Sequence, residues 1–170
     1  MKLLKRNHIF VSIETMSTNT NAMILSIGAV KFSFDSGIGE SFSVNIDMND
    51  SINFRHYSTD TVGWWRAKPK EIRDKWKSDP KSCLDACREF TEFFDNSDAM
   101  VWSKNNLFEL TAIKSLYEDV GLDLPWKHWN TMDTRTVFSL LDLKLDYDVS
   151  HIALNDAISG AEHIIKVFKL

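Results

Sequence analysis

The sequence predicts an α/β chain: a mixed central sheet, made of a three-stranded antiparallel meander plus parallel strands and flanked by helices. Three observations carry this. The first part of the chain holds three apolar segments with strand-like alternation, divided by turn residues. The spacing of apolar residues turns helical from Ser58 onward. Beyond that point short apolar strands alternate with longer amphipathic segments, and strands followed by a helix-strand alternation argue for a mixed sheet with covered faces.

Residues 8–14 and 23–34 read as the first two strands, and G-E-S-F-S-V-N-I, after the D-S-G turn, as the third. S-T-D-T supplies N-cap residues for a short helix through W-W-R-A-K, which Pro69 ends. S-D-P-K opens another, striped by Leu84, Cys87, Phe90 and Phe94. A-M-V-W is a short buried strand. Asn105 or Asn106 caps the next helix, whose face is Ile113, Leu116, Tyr117 and Val120 and whose end is Gly121 in a left-handed conformation. H-W-N-T-M-D reads as a strand, D-T-R-T-V-F-S-L-L as a helix, and residues 152–168 as a final amphipathic helix. There is no internal repeat and no low-complexity segment.

Composition narrows the function classes. At 170 residues, 44% hydrophobic, the chain is expected to bury one core and to form a single domain over residues 1–170. No apolar run approaches the roughly 20 residues that span a bilayer, and the opening M-K-L-L-K-R-N-H lacks the apolar core of a secretory signal. A cytoplasmic protein with no membrane contact is the expectation. Cys83 and Cys87, four apart, read as buried free thiols, since no further zinc ligands lie near them.

A formal net charge of −4 argues against a protein that coats long nucleic acid by positive field, though not against one that grips an end. Between Arg66 and Lys81 the balance reverses, with seven basic residues against Glu71, Asp74 and Asp79, and with Trp64, Trp65 and Trp76 interleaved. Basic groups for phosphates and rings for bases suit a single strand; a solvated helix face with buried tryptophans fits the same pattern. Trp64 and Trp65, adjacent on a helix, point in different directions, so at most one is placed to stack on a substrate.

Metal-assisted phosphodiester cleavage needs carboxylates converging from different elements, because hard divalent cations take oxygen ligands. Glu14 ends the first strand, Glu109 lies on the helix after V-W-S, and Asp156 on the last helix, with His151 just ahead of it. The five-residue step from His151 to Asp156 cannot keep both on one helical face, so His151 belongs to the lead-in loop. There an imidazole is suited to take a proton near neutral pH. Asp133 reads either as a further acid facing the site or as the N-cap of the helix that follows it.

The ordered set V-S-I-E-T-M…I-L-S-I-G-A-V, T-V-G-W-W, V-W-S-K-N-N-L-F-E, P-W-K-H-W-N-T-M-D-T-R-T and H-I-A-L-N-D-A resembles the DEDD superfamily of 3′-5′ exonucleases. Within it the chain resembles the histidine-bearing (DEDDh) branch, near the exonuclease VIII-like and exonuclease A-like bacterial and phage proteins. The resemblance covers residues 7–170. It implies a ribonuclease H-like fold, two Mg2+ or Mn2+ ions, and stepwise release of nucleotides from the 3′ ends of single-stranded DNA or RNA. It assigns Glu14, Glu109 and Asp156 as metal ligands and His151 as general base. Nucleic-acid contacts are implied at Trp64, Trp65, Thr15, Met16 and Asn105; related proteins often pair, so a homodimer is one arrangement the resemblance allows, while the sequence itself does not fix the oligomeric state.

Two positions depart from the family pattern. Glu109 stands where an aspartate is usual, keeping the charge with one more methylene. Ser12 stands at the metal position where the family's bridging aspartate belongs, and an uncharged hydroxyl is a poor magnesium ligand. Losing that charge is expected to weaken ion binding and to cost several kcal/mol of metal-borne stabilisation. A weakened exonuclease is the first function this implies; a catalytically silent relative that binds nucleic-acid ends or a protein partner is the second.

Overall fold

The computed structural model describes residues 6–95, 98–144 and 149–169. Its first three strands, β1 (His8–Thr15), β2 (Ile24–Ser33) and β3 (Gly37–Asn45), form the expected antiparallel meander. Four helices follow: α1 (Met48–Ser51), α2 (Thr59–Arg66), α3 (Lys70–Lys75) and α4 (Cys83–Phe94). Then come β4 (Met100–Ser103), α5 (Glu109–Val120), β5 (Thr131–Asp133), α6 (Thr134–Leu140) and α7 (Ala153–Lys169). The sheet order is β3-β2-β1-β4-β5, with β4 parallel to β1 and β5 parallel to β4. The fold class expected from the sequence is the one observed.

Both faces of the sheet are covered, which is why β1 is buried along most of its length rather than alternating with water. Ile9, Val11 and Ile13 face one way, into a core shared with Cys87, Phe90 and Phe94 of α4 and Ile113, Leu116 and Tyr117 of α5. Phe10 faces the other way, with Trp102, Phe32 and Phe34 against Ala157, Ala161 and Ile164 of α7. Each fully buried side chain of this kind contributes about 1.5–3 kcal/mol. A third, smaller cluster joins Met16, Met23 and Leu25 to Trp65 of α2 and to Trp76 just after α3. Cys83 and Cys87 are buried free thiols.

Ser58 caps α2 through its side chain, and Gly121 ends α5 at φ 71 as its position after the apolar stripe requires. Three local expectations are corrected. His128–Asn130 is a 3-10 turn, and only Thr131–Asp133 pairs as a strand. Neither Asn105 nor Asn106 caps α5 by its side chain; the N-cap is Phe108, and the Asn105 carbonyl accepts the Phe108 and Glu109 N–H groups instead. The helices α1 and α3 lie in stretches whose apolar spacing predicts none, being too short to show a period.

Two glycines let α7 lie directly on the sheet. A Cβ at Gly28 would fall 2.2 Å from the Ala153 carbonyl carbon and the Leu154 nitrogen, and one at Gly160 would fall 2.3 Å from the end of the Phe10 ring. The first turn of α7, which carries Asp156, is thereby pressed against β2 beside the end of β1.

Candidate active site

The strand pleat sets Phe10, Ser12 and Glu14 on one side of β1. Phe10 meets α7, so Ser12 and Glu14 face the start of that helix. The parallel partner β4 ends beside β1 at Ser103, and α5 begins six residues on with Glu109 in its first turn. Glu14, Glu109 and Asp156, distant along the chain, therefore line one cavity of about 150 Å3 together with Ser12, His151 and Lys104. All three acids are buried. A larger cavity of about 300 Å3 at the opposite end of the sheet, around Asn7, Lys31 and Asp95, contains none of them.

Each acid is held differently. Asp156 accepts from the Ser150 backbone N–H and hydroxyl, both at 2.7 Å on Oδ1, and from the His151 N–H at 3.2 Å on Oδ2. Glu109 accepts the Asn105 N–H at 2.8 Å and the Ser12 hydroxyl at 3.3 Å. Glu14 meets an unfavourable field. Burial, then the neighbouring charges of Asp156 and Glu109, push its carboxyl from 4.5 up to about 8, with Lys68 opposing. Burial also lifts Glu109, to about 7, against the Asn105 N–H, the Ser12 hydroxyl and the Lys104 charge. A buried cluster of mutually repelling carboxylates favours protons or another cation.

His151 lies on the lead-in to α7, as its spacing from Asp156 requires, at φ 58. Lys68 Nζ donates to its Nε2 at 3.2 Å, and the Trp64 ring meets the imidazole edge to face at 4.8 Å between centroids. Burial and then the charge of Lys68 hold His151 below its usual pKa, with Asp156 opposing, which keeps the ring neutral near pH 7.

The remaining expected residues separate into groove and core. A groove of about 470 Å3 adjoins the acidic cavity, shares Ile13 and Glu14 with it, and is lined by Thr15, Ser17, Asp60, Thr61 and Trp64. Trp64 is 43% exposed. Trp65 touches the groove but is 3% exposed, and its indole N–H donates to the Thr15 carbonyl at 2.9 Å, so it props the strand end rather than offering a free ring face. Met16 is corrected outright: its side chain packs in the cluster of Trp65 and Trp76, away from the groove. Asn105 reaches the site through its backbone N–H. Asp133 takes its N-cap reading, accepting from the Thr136 N–H at 2.8 Å and the Asn106 N–H at 3.0 Å.

Lys68 and Lys104 are site residues that sequence reasoning missed. In the basic run Lys68 is the member that contacts His151, whereas Lys70 pairs with Asp74, Lys77 lies over Trp76, and Lys81 meets Asp79 and Glu89. The one local signal was Pro69, which fixes the chain just after Lys68. Among the described residues, no three His, Cys, Asp or Glu side chains stand in an arrangement that would hold a metal ion as they are placed.

The family model described as a 3′-5′ exoribonuclease Rv2179c-like domain matches residues 7–168. The chain belongs to this family. Like it in fold are exonuclease I (14% identity, TM-score 0.70, covering 97% of this chain and 41% of that one) and E. coli exonuclease I in complex with a dT13 oligonucleotide, with the same four values. The metal-free form of the E. coli exonuclease I complex with single-stranded DNA matches at 14% identity and TM-score 0.70, covering 97% of this chain and 40% of that one. No curated protein matches the chain. This Rv2179c-like chain spans about two-fifths of the length of those structures, and at such identities the likeness is one of fold. That fold is the ribonuclease H-like one.

Proposed function

We propose that this Rv2179c-like protein is a metal-dependent 3′-5′ exonuclease acting on the 3′ ends of single-stranded nucleic acid, slowed by Ser12. The observation that carries the reading is the convergence of Glu14, Glu109 and Asp156, from β1, α5 and α7, on one buried cavity beside His151. Single-stranded RNA is the first substrate to test, following the description of the family, and single-stranded DNA the second, following the oligonucleotides in the structures like it. Action in the cytoplasm and pairing into a homodimer belong to the same proposal; sedimentation of the purified chain tests the pairing.

The donor set fits a divalent cation. Three carboxylate side chains supply the hard oxygens that Mg2+ or Mn2+ requires, and burial, joined at Glu14 by the neighbouring acids, disfavours the charged form of Glu14 and Glu109 in a way that a bound cation would offset. Glu14 and Glu109 would turn inward to ligate alongside Asp156. With a hydroxyl at position 12, the set suits one ion better than two. The bound ion would supply a polarised phosphate and an acidified water. The chain's own residues do the rest. His151, neutral and with Nε2 facing the cleft, accepts a proton; Asp156 fixes the backbone from which His151 projects; Trp64 offers a ring face at the groove mouth for a terminal base.

A second reading, a silent relative that binds ends without cleaving them, is favoured by the Ser12 hydroxyl donating to Glu109, which occupies one ligand oxygen with a neutral partner. One experiment separates the two. End-labelled single-stranded RNA and DNA are incubated with Mn2+ and the unsubstituted protein, Ser12→Asp, or His151→Ala. The exonuclease reading expects a slow ladder from the 3′ end, faster by at least about 100-fold in Ser12→Asp and absent in His151→Ala. Binding without any ladder in all three would leave the silent reading, and neither binding nor cleavage would end both.

A further inference from the structure

We propose that Lys68 is the phosphate ligand of this site: its ammonium binds a non-bridging oxygen of the phosphodiester next to the 3′ terminus, leaving His151 Nε2 free to accept a proton. The inference rests on the nucleic-acid reading above and adds the group that holds the backbone of the substrate.

The position of Lys68 is built, not incidental. Its N–H donates to the Trp65 carbonyl at 3.0 Å, its carbonyl accepts Arg73 Nε at 3.0 Å, and Pro69 restricts the backbone that follows. The side chain runs from this anchored point across the Trp64 ring, with Nζ 4.1 Å from the centroid, to His151 Nε2. Trp64 lines the groove and His151 lines the acidic cavity, so the ammonium stands where the two join. A strand whose terminal nucleotide fills the groove must thread its last phosphodiester past this point to reach the acids.

The partners Lys68 has are weak ones for a cation. Among the described residues it enters no salt bridge, and its contacts are a neutral ring nitrogen and an aromatic face. A phosphate oxygen makes a shorter, charge-assisted hydrogen bond and would displace the imidazole from it. The exchange also releases the Nε2 lone pair that Lys68 engages. The need for such a cation is local, since three acids face the path of a polyanion and, among the described residues, Lys68 and Lys104 are the cations that oppose them.

The test measures binding without chemistry. Short fluorescein-labelled oligouridylate and oligothymidylate are titrated with the unsubstituted chain, Lys68→Met and Lys68→Arg in chelator, by anisotropy across a salt series. Lys68→Met keeps an unbranched stem over Trp64 and removes the charge. It is expected to weaken both oligonucleotides about 10-fold or more, and to reduce the slope of log affinity against log salt by ~0.7, the value for one phosphate contact on a single strand. Lys68→Arg is expected to retain most of both. Unchanged affinity in Lys68→Met, a loss of affinity with the salt slope intact, or an Lys68→Arg indistinguishable from Lys68→Met would each overturn the proposal while leaving the nuclease reading in place. If the unsubstituted chain binds neither oligonucleotide, the two fall together.

Discussion

The carboxylate of Asp156 holds the backbone of His151: Oδ2 accepts the His151 N–H at 3.2 Å while Oδ1 takes two donors from Ser150. An acid proposed to bind metal and the base proposed to act beside it thus move as one unit. The grip also stabilises an unusual backbone, because His151 sits at φ 58, a region that non-glycine residues enter only when their surroundings enforce it.

Asp156→Ala is therefore expected to cost about 1–3 kcal/mol of stability, by leaving three donors without their acceptor, and to free the imidazole from its fixed position. Denaturant melts would show the first effect. The histidine ring signals in an NMR spectrum would report the second, as loss of the contact between His151 and Trp64.

Glu14 makes stability depend on pH in a direction opposite to most carboxylates. Its folded-state value of about 8 exceeds the 4.5 of an unperturbed group, so between those limits the native state binds more protons than the unfolded chain. The contribution is full below 4.5 and is lost as pH rises through 8. In chelator, Glu14→Gln is expected to be the more stable protein at high pH by about 1 kcal/mol or more, and no more stable at low pH. Mn2+ should raise the melting temperature of the unsubstituted chain more in alkaline than in acid buffer, since ligating carboxylates must shed their protons.

His151, held below the usual imidazole value by burial and by Lys68, stays neutral into mildly acid solution. The acid limb of a pH-rate profile is expected below about 6.5, the value for a free imidazole. In Lys68→Met that limb should shift upward, because a repelling charge has gone. An upward shift would be read directly from kcat against pH.

The two glycines under α7 should respond unequally to alanine. At Gly160 the added methyl meets the far end of the Phe10 ring, whereas at Gly28 it meets helix backbone that has no rotamer to change. Gly28→Ala is expected to destabilise by about 1–3 kcal/mol and to depress activity beyond that, since relief requires moving the turn that carries Asp156; Gly160→Ala should cost less. Chemical denaturation alongside the labelled-strand assay separates the two effects.

How much of this was legible in the sequence depended on how each residue does its work. Glu14, Glu109, Asp156 and His151 could be picked out because each sits beside an element boundary that local pattern marks, and the structure brings them to one cavity. Lys68 could not, because within a run of seven basic residues Pro69 marks the backbone beside it but does not say which ammonium turns inward; that is settled by a carbonyl of Trp65 and a guanidinium of Arg73. Met16 departs from its expected place for a related reason. A residue just past a strand end can face either way, and here Met16 packs with Trp65 in the small cluster beneath α2. The Asn105 cap failed because its main-chain carbonyl, rather than its amide side chain, receives the helix N–H groups.

In the antiparallel pairing of β1 with β2, Ser12 stands opposite Gly28. The neighbour across the ladder therefore presents no side chain to position 12, and a longer residue introduced there encounters no bulk from that strand. The space over Gly28 is taken instead by the α7 backbone at Ala153 and Leu154, so aspartate at position 12 would exchange the hydroxyl that donates to Glu109 for a second negative charge beside it.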